Sequence, residues 1–150
     1  MSTLRDEGRK AVAESYLKAL DAGGVSPTTG LGLFDHFTDD AEVYFPKWGV
    51  AKGLDQVRRL FSDVGGTLRA ITHHYDGFTW YLNGTDRFAV EGSSHGTHRD
   101  GPWQAGAPDW AAGRWCDTFH LRDGKIARLY IYLDPDYAGQ DQARYPWIAA

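Results

Sequence analysis

An acidic residue lies among large apolar side chains in the segment Trp115-Cys116-Asp117-Thr118-Phe119. If this segment is a β-strand, its alternating side chains place Trp115, Asp117 and Phe119 on one face. A carboxyl group buried among such neighbours has a raised pKa and keeps its proton at neutral pH. The alternative is a carboxylate that pairs with an arginine or faces solvent. Asp117 is therefore the first candidate for acid-base chemistry.

Histidines supply the candidate bases, because imidazole titrates near neutral pH. His73 and His74 are adjacent, so a regular strand turns them to opposite faces and only one of them can enter a pocket. His95 and His98 also differ in parity, and we expect His98, which shares a face with apolar residues, to be the second pocket imidazole. The histidine spacings match no HxH or HExxH pattern, so we predict no metal site.

The elements that must position these residues are helices followed by strands. Apolar residues recur at helical spacing over residues 4–21, 31–37 and 54–64, which predicts three helices in the first half. A short strand is predicted over 41–45, and β-branched and aromatic residues predict further strands over 68–82, 87–98, 110–121 and 125–133. Asn83-Gly84 and Asp123-Gly124 are typical of two-residue hairpin turns, so neighbouring strands should be antiparallel.

Glycines within the strand patterns indicate that the sheet bends. Gly77, Gly92 and Gly96 lie where a bulge or sharp bend is expected. A curved, mostly antiparallel sheet that follows three helices predicts an α+β architecture in which the sheet wraps around the first helix, with the helices on its concave side and a cavity between the layers. The run 101–113 should be a rim or lid at one mouth of the sheet, and the aromatic tail 134–150 should dock on this subunit or a neighbour.

Bulk composition excludes several classes of function. The chain has 150 residues, enough for one domain spanning residues 1–150, and a formal net charge of −4 without clustered Lys and Arg, so nucleic acid is not an expected partner. No apolar window predicts a membrane span or a signal peptide, and we expect a cytoplasmic protein. Cys116 is the single cysteine, which excludes an internal disulfide. The aromatic content of 14% suits either a pocket for a flat organic molecule or a plain core.

Several short motifs, in this order and spacing, resemble the nuclear transport factor two-like superfamily, which includes ketosteroid isomerases, SnoaL-like cyclases and scytalone dehydratase. They are the run from Tyr16 to Gly23, Phe37-Thr38-Asp39-Asp40-Ala41, Gly53, Gly96-Thr97-His98 and Arg122-Asp123-Gly124-Lys125-Ile126. The resemblance covers nearly the whole chain. It implies a cone-shaped pocket, often in a homodimer, whose chemistry needs neither metal nor nucleotide; we therefore expect no cofactor.

The resemblance also implies roles for individual residues. Tyr16 and Asp117 match the two hydrogen-bond donors that ketosteroid isomerases direct at an enolate oxygen, and the raised pKa of that isomerase aspartate is a known example. His73 matches the strand histidine of the dehydratases and dehydrochlorinase-like members, where an acid corresponding to Asp21 orients it. Phe45 stands where ketosteroid isomerases carry their general base, so steroid isomerisation by that mechanism is excluded.

The pocket residues expected from this resemblance are mostly aromatic. They are Phe45, Trp48, Phe61, His98, Trp115, Phe119 and Ile131. Two functions fit them: a lyase, isomerase or cyclase that acts by acid-base chemistry on a small apolar, polyketide-like or aromatic substrate, or a binding or assembly module without turnover.

Overall fold

The computed structural model describes residues 4–104 and 113–137. Two α-helices, α1 (Asp6–Asp21) and α2 (Leu54–Thr67), lie against strands β1 (Phe37–Phe45), β2 (Gly49–Lys52), β3 (Leu68–His73), β4 (Thr79–Tyr81), β5 (Arg87–His98), β6 (Gly101–Gln104), β7 (Arg114–Arg122) and β8 (Lys125–Leu133). The predicted α+β class is confirmed. Two predictions concern segments that extend outside the described residues: the rim or lid loop beyond residue 104 and the tail beyond residue 137.

The strands form one curled sheet in the order β2-β1-β8-β7-β5-β3, with β4 and β6 also paired to β5. Its pairs are antiparallel except β1 with β8, which run parallel, with Val43 opposite Leu129. The hairpin between β7 and β8 has the predicted turn, since Asp123 and Gly124 both adopt positive φ, at 52° and 76°. At Asn83-Gly84 the strands are antiparallel as predicted, but five residues separate Tyr81 of β4 from Arg87 of β5 rather than two.

Strand β5 makes the bend that opens the cavity. Its first half pairs with β4 and β7, while its second half pairs with β3 and β6. Gly92 lies where these partners change, and a Cβ atom there would come within 2.8 Å of the rings of Phe78 and Trp115. Glycine is thus required by close packing of two rings on the backbone. Gly77 instead lies in a 3₁₀ turn, Tyr75–Gly77, that interrupts the predicted strand 68–82.

The second predicted helix is a single 3₁₀ turn, Leu33–His36. The preceding loop is closed by backbone bonds of 2.8 Å between Ser26 and Leu31 and between Gly30 and Ser26, and Gly30 takes a positive φ of 74°. Because this loop ends at Leu31 and β1 begins at Phe37, the segment between them is long enough only for a short 3₁₀ turn. The two α-helices and this turn together occupy the concave side of the sheet, where α1 buries Ala13, Tyr16 and Leu17.

Candidate active site

A cavity of about 730 Å³ lies between the two helices and the concave face of the sheet. Its size is that of a pocket for a small organic molecule. It contains the four residues predicted to carry chemistry: Tyr16, Asp21, His73 and Asp117. Apolar side chains from α1, α2, β1, β7 and β8 complete much of the wall, including Leu20, Phe45, Phe61, Val64, Trp115 and Ile131.

Asp117 is an acid in the wall of this cavity, with no ion pair among the described residues. The alternation of β7 buries it on the same face as Trp115 and Phe119, as predicted, and leaves it 3% exposed. Its Oδ1 has no hydrogen-bond partner within the described part of the chain. Burial raises the pKa of this carboxyl to about 8, because desolvation disfavours the charged form. At neutral pH Asp117 is therefore mainly a neutral acid that can donate a hydrogen bond.

Tyr16 lies beneath the cavity, on the buried face of α1. Its ring meets Phe37, Phe61 and Phe119 edge-on, with centroids 5.6, 6.3 and 6.2 Å away. The hydroxyl group has no partner among the residues described. Burial, and then the proximity of Asp117, raises the pKa of this phenol well above its ordinary value. A neutral phenol and a neutral carboxyl group with unfilled hydrogen-bonding capacity thus belong to one cavity.

His73 and Asp21 form a hydrogen-bonded pair. Nδ1 of His73 lies 2.5 Å from Oδ1 of Asp21, and the backbone N–H of His73 donates to Oδ2 of the same carboxylate at 3.1 Å. Both side chains are largely buried, with 5% and 17% exposure. Because Nδ1 is held by the carboxylate, Nε2 is the nitrogen available to a ligand. The imidazole packs edge-on against Trp115 at 5.3 Å, which fixes the orientation of the ring.

Tyr75 completes this pair and was not identified from the sequence. Its hydroxyl donates to Oδ2 of Asp21 at 2.9 Å. Burial and the neighbouring Asp21 raise the pKa of Tyr75, so the phenol stays neutral and acts as a donor. Asp21 thus accepts three hydrogen bonds, which orient its carboxylate toward His73. The only sequence signal was the position of Tyr75, two residues after His73. The 3₁₀ turn brings its side chain to Asp21, and strand periodicity could not predict that turn.

The adjacent histidine points away from the cavity. His74 hydrogen-bonds with Oγ of Ser93 at 2.8 Å and with Nδ1 of His95 at 2.7 Å. The rings of His74 and His95 stack at 5.0 Å. Neither of these two histidines lines the cavity. His73 is therefore the inward residue of the two, and His74 lies just beyond the end of β3.

Three of the expected pocket residues lie elsewhere in the fold. Trp48 packs edge-on behind Phe45 at 5.4 Å, and Phe119 stacks on Phe88 at 5.1 Å within the core. His98 is buried, but its ring stacks on Tyr137 at 6.1 Å and does not line the cavity. His98 and Phe119 were predicted to line the pocket because each lies on the same strand face as other apolar residues. One face of a curled sheet borders both the cavity and the solid core beside it. Knowing that a residue lies on that face therefore does not show whether it lines the cavity or packs in the core.

Tyr137 is a further lining residue that the sequence did not indicate. It is 5% exposed and lies between the ring of His98 and that of Trp103, whose centroid is 5.4 Å away. Its position after the last strand is consistent with the expected docking of the tail on this subunit, as far as residue 137. The same segment brings a phenol to the cavity wall.

The chain matches the SnoaL-like domain family over residues 7–129. Comparison with curated proteins finds no match. Among solved structures, an NTF2-like protein from Anabaena variabilis is similar, with 19% identity, a TM-score of 0.64 and coverage of 91% of this chain and 97% of that one. A candidate polyketide cyclase from Sinorhizobium meliloti has 19% identity and a TM-score of 0.58, with 81% and 94% coverage. TerC, co-crystallised with polyporic acid, has 14% identity and a TM-score of 0.65, with 95% and 98% coverage.

These structural similarities concern the fold, because their sequence identities are low. Within the described residues, neither helix has the length and apolar character needed to cross a membrane. The family match extends from α1 into β8 and so includes every element that carries Tyr16, Asp21, His73 and Asp117. The chain therefore belongs to the SnoaL-like domain family, and its curled sheet and cavity have the fold of the NTF2-like structures.

Proposed function

We propose that this protein is a cofactor-independent acid-base enzyme, a lyase, isomerase or cyclase, which moves a proton beside a carbonyl or leaving group of a small apolar molecule. The observation that carries the proposal is the presence of two complementary groups in one cavity. One is the His73 and Asp21 pair, joined at 2.5 Å, and the other is the protonated carboxyl group of Asp117. Proton transfer on one substrate requires a base that takes a proton and an acid that can donate one, and their different environments keep the two groups in these states.

His73 acts as the general base. Its Nδ1–H donates to Asp21, which leaves the lone pair of Nε2 to take a proton from the substrate carbon. The imidazolium that forms is stabilised by the Asp21 carboxylate at 2.5 Å, as in other histidine and carboxylate pairs. Tyr75 and the backbone N–H of His73 hold that carboxylate in place.

Asp117 and Tyr16 stabilise the negative charge that develops on the substrate oxygen. Both are neutral donors in buried positions, and a hydrogen bond to a developing oxyanion is strong where water is excluded. Asp117 meets the ligand first, because it is 3% exposed while Tyr16 has no exposed surface. Tyr16 lies close to Asp117 and contributes when ligand binding displaces the side chains that cover its hydroxyl.

The substrate class we propose is polyketide-like or aromatic. The support is the apolar, ring-rich wall formed by Phe45, Phe61 and Trp115, together with two structural relatives. One is called a candidate polyketide cyclase, and another was co-crystallised with polyporic acid. The homodimer and the cytoplasmic location implied earlier remain predictions, and light scattering of the purified protein tests the first.

A deuterium-exchange assay tests the proposed chemistry without knowledge of the natural substrate. 2-Tetralone, a flat bicyclic ketone with acidic C–H bonds, is incubated with the protein in D₂O, and deuterium uptake is followed by NMR. We expect uptake above the buffer rate, a fall of roughly 10²-fold or more in His73→Gln, and no change in His74→Gln. Exchange that is unaffected by His73→Gln would contradict the assignment. Mass spectrometry of any molecule that copurifies with the native protein then identifies the substrate.

The second candidate is a binding module without turnover. It is favoured by Phe45, which lines the cavity and cannot take a proton where the related isomerases carry their base. In that case a copurifying molecule is recovered unaltered, and His73→Gln leaves its affinity unchanged.

A further inference from the structure

Two exposed arginines line the cavity. They are Arg58 on α2 and Arg69 on β3. Within residues 4–104 and 113–137, neither of them forms an ion pair. Because the two residues come from separate elements and are both exposed, we place them at the mouth of the cavity.

The carboxylates that line the same cavity do not balance these charges. Asp21 is held inside the site by His73 and Tyr75, and Asp117 is mainly neutral. Asp35 is the remaining acid of the lining; it is exposed and accepts a hydrogen bond from the backbone N–H of Gly32 at 3.0 Å. The described mouth therefore has two positive charges and one negative charge, on a chain whose formal net charge is −4. Such a local reversal of sign attracts anions.

One of the arginines is positioned by the cavity wall itself. The guanidinium of Arg58 lies over the ring of Phe34 at 4.6 Å, and Phe34 lines the cavity. A cation–π contact of this kind keeps the guanidinium at the cavity edge, where its N–H groups can still bind an oxyanion.

The interior of the cavity has the opposite preference. It contains the Asp21 carboxylate, apolar rings and an acid that is neutral because it is buried. A ligand anion in that position would lose hydration without gaining a cationic partner, which is costly. A charged ligand therefore enters with its apolar body toward Asp117 and its anionic group toward the arginines.

We propose that the substrate is an amphipathic acid, with a flat apolar body that reacts inside the cavity and a carboxylate that Arg58 and Arg69 bind at the mouth. The inference deepens the proposed function and rests on it in one respect, namely that the reacting part of the ligand lies near His73 and Asp117. The arginines are specificity-determining residues, since they select and orient the ligand without reaching the reacting atoms.

A matched pair of probes tests the charge preference. 2-Naphthoate and 2-naphthamide have the same bicyclic body and differ in charge, and their binding to the full chain is measured by calorimetry at low salt. We expect naphthoate to bind about tenfold more tightly. The double variant R58Q/R69Q should reduce that ratio to about twofold or less. Arg59→Gln is the matched control, because Arg59 is an exposed neighbour on α2 that does not line the cavity; it should keep the full preference.

Salt provides the second readout. Raising the ionic strength should weaken naphthoate binding and leave naphthamide binding unchanged, because screening acts on the charged ligand only. Equal affinity of the two probes, a preference for the amide, no binding of either, or a preference that survives the double variant would each overturn the inference. Tetralone exchange that depends on His73, in a protein without acid preference, would leave the proposed function standing. A preference for naphthoate without tetralone exchange would support the arginine site and count against catalysis.

Discussion

Asp21 at the end of α1 and His73 at the end of β3 are 52 positions apart in the sequence, yet Oδ1 of one lies 2.5 Å from Nδ1 of the other. The contact joins the helix layer to the sheet layer at the cavity wall. The same carboxylate accepts hydrogen bonds from the His73 backbone and from Tyr75. One side chain therefore aligns the proposed base and connects the two layers that enclose it.

Replacing Asp21 by Asn should separate these two contributions. Asn can still accept hydrogen bonds from Tyr75 and the His73 backbone, but it carries no charge to stabilise an imidazolium. We expect the fold to persist and tetralone exchange to slow by roughly 10²-fold or more, as measured by NMR in D₂O. Asp35→Asn, which changes an exposed acid of the same cavity lining, is the control and should exchange at a rate close to that of the unaltered protein.

Asp117 should make the protein less stable as the pH rises. Its pKa is about 8 in the folded state, against an ordinary value of 3.8, so between these values the folded state holds a proton that the unfolded state has released. The free energy of unfolding therefore falls as the pH rises from about 4 to 8, by an amount on the order of a few kcal/mol. Urea unfolding at a series of pH values measures the effect. Asp117→Asn should lose this slope; an identical slope in both proteins would show that the carboxyl group is not buried.

The same proton should set the alkaline limit of activity. Above about pH 8 Asp117 ionises and can no longer donate to a developing oxyanion. Tetralone exchange in the unaltered protein should therefore decline above this pH, as read from a pH-rate profile corrected for the buffer rate. Asp117→Asn, whose amide donates at any pH, should be slower at pH 7 but show no decline of this origin.

Tyr16→Phe should lower activity without lowering stability. The Tyr16 hydroxyl is buried and has no hydrogen-bond partner in the described chain, so its removal abolishes a desolvation cost and should leave the melting temperature unchanged or slightly higher. The loss of one oxyanion donor should slow exchange by about 10²-fold. Tyr132→Phe, on an exposed tyrosine of β8 outside the cavity, should alter neither quantity. A Tyr16→Phe protein with full activity would remove Tyr16 from the proposed mechanism.

Alanine substitutions at Gly92 and Gly65 should change the free energy of unfolding in opposite directions. At Gly92 the new Cβ would lie 2.8 Å from two aromatic rings, whereas at Gly65, inside α2, it meets nothing within 4 Å. Gly92→Ala should lower the free energy of unfolding by about 1–3 kcal/mol through overpacking. Gly65→Ala should raise it by about 0.5–1 kcal/mol through helix propensity. Chemical denaturation of the two variants measures both changes.

Local patterns were enough to predict much of the architecture. The alternation around Asp117 predicted its burial with Trp115 and Phe119, because strand geometry turns alternate side chains to the same face regardless of the rest of the fold. The helical spacing over 54–64 predicted α2, and Asp123-Gly124 predicted its hairpin, because both depend on residues close in sequence.

The tertiary structure decided what those patterns left open. Which histidine faces inward depends on how β3 pairs with β5, and Tyr75 reaches Asp21 only because a 3₁₀ turn replaces the expected strand. Whether a buried residue borders the cavity, like Trp115, or fills the core, like Phe119, depends on the curl of the whole sheet. Sequence periodicity reports the face of a strand or helix, and a cavity is formed by the distance between faces that belong to elements far apart in the chain.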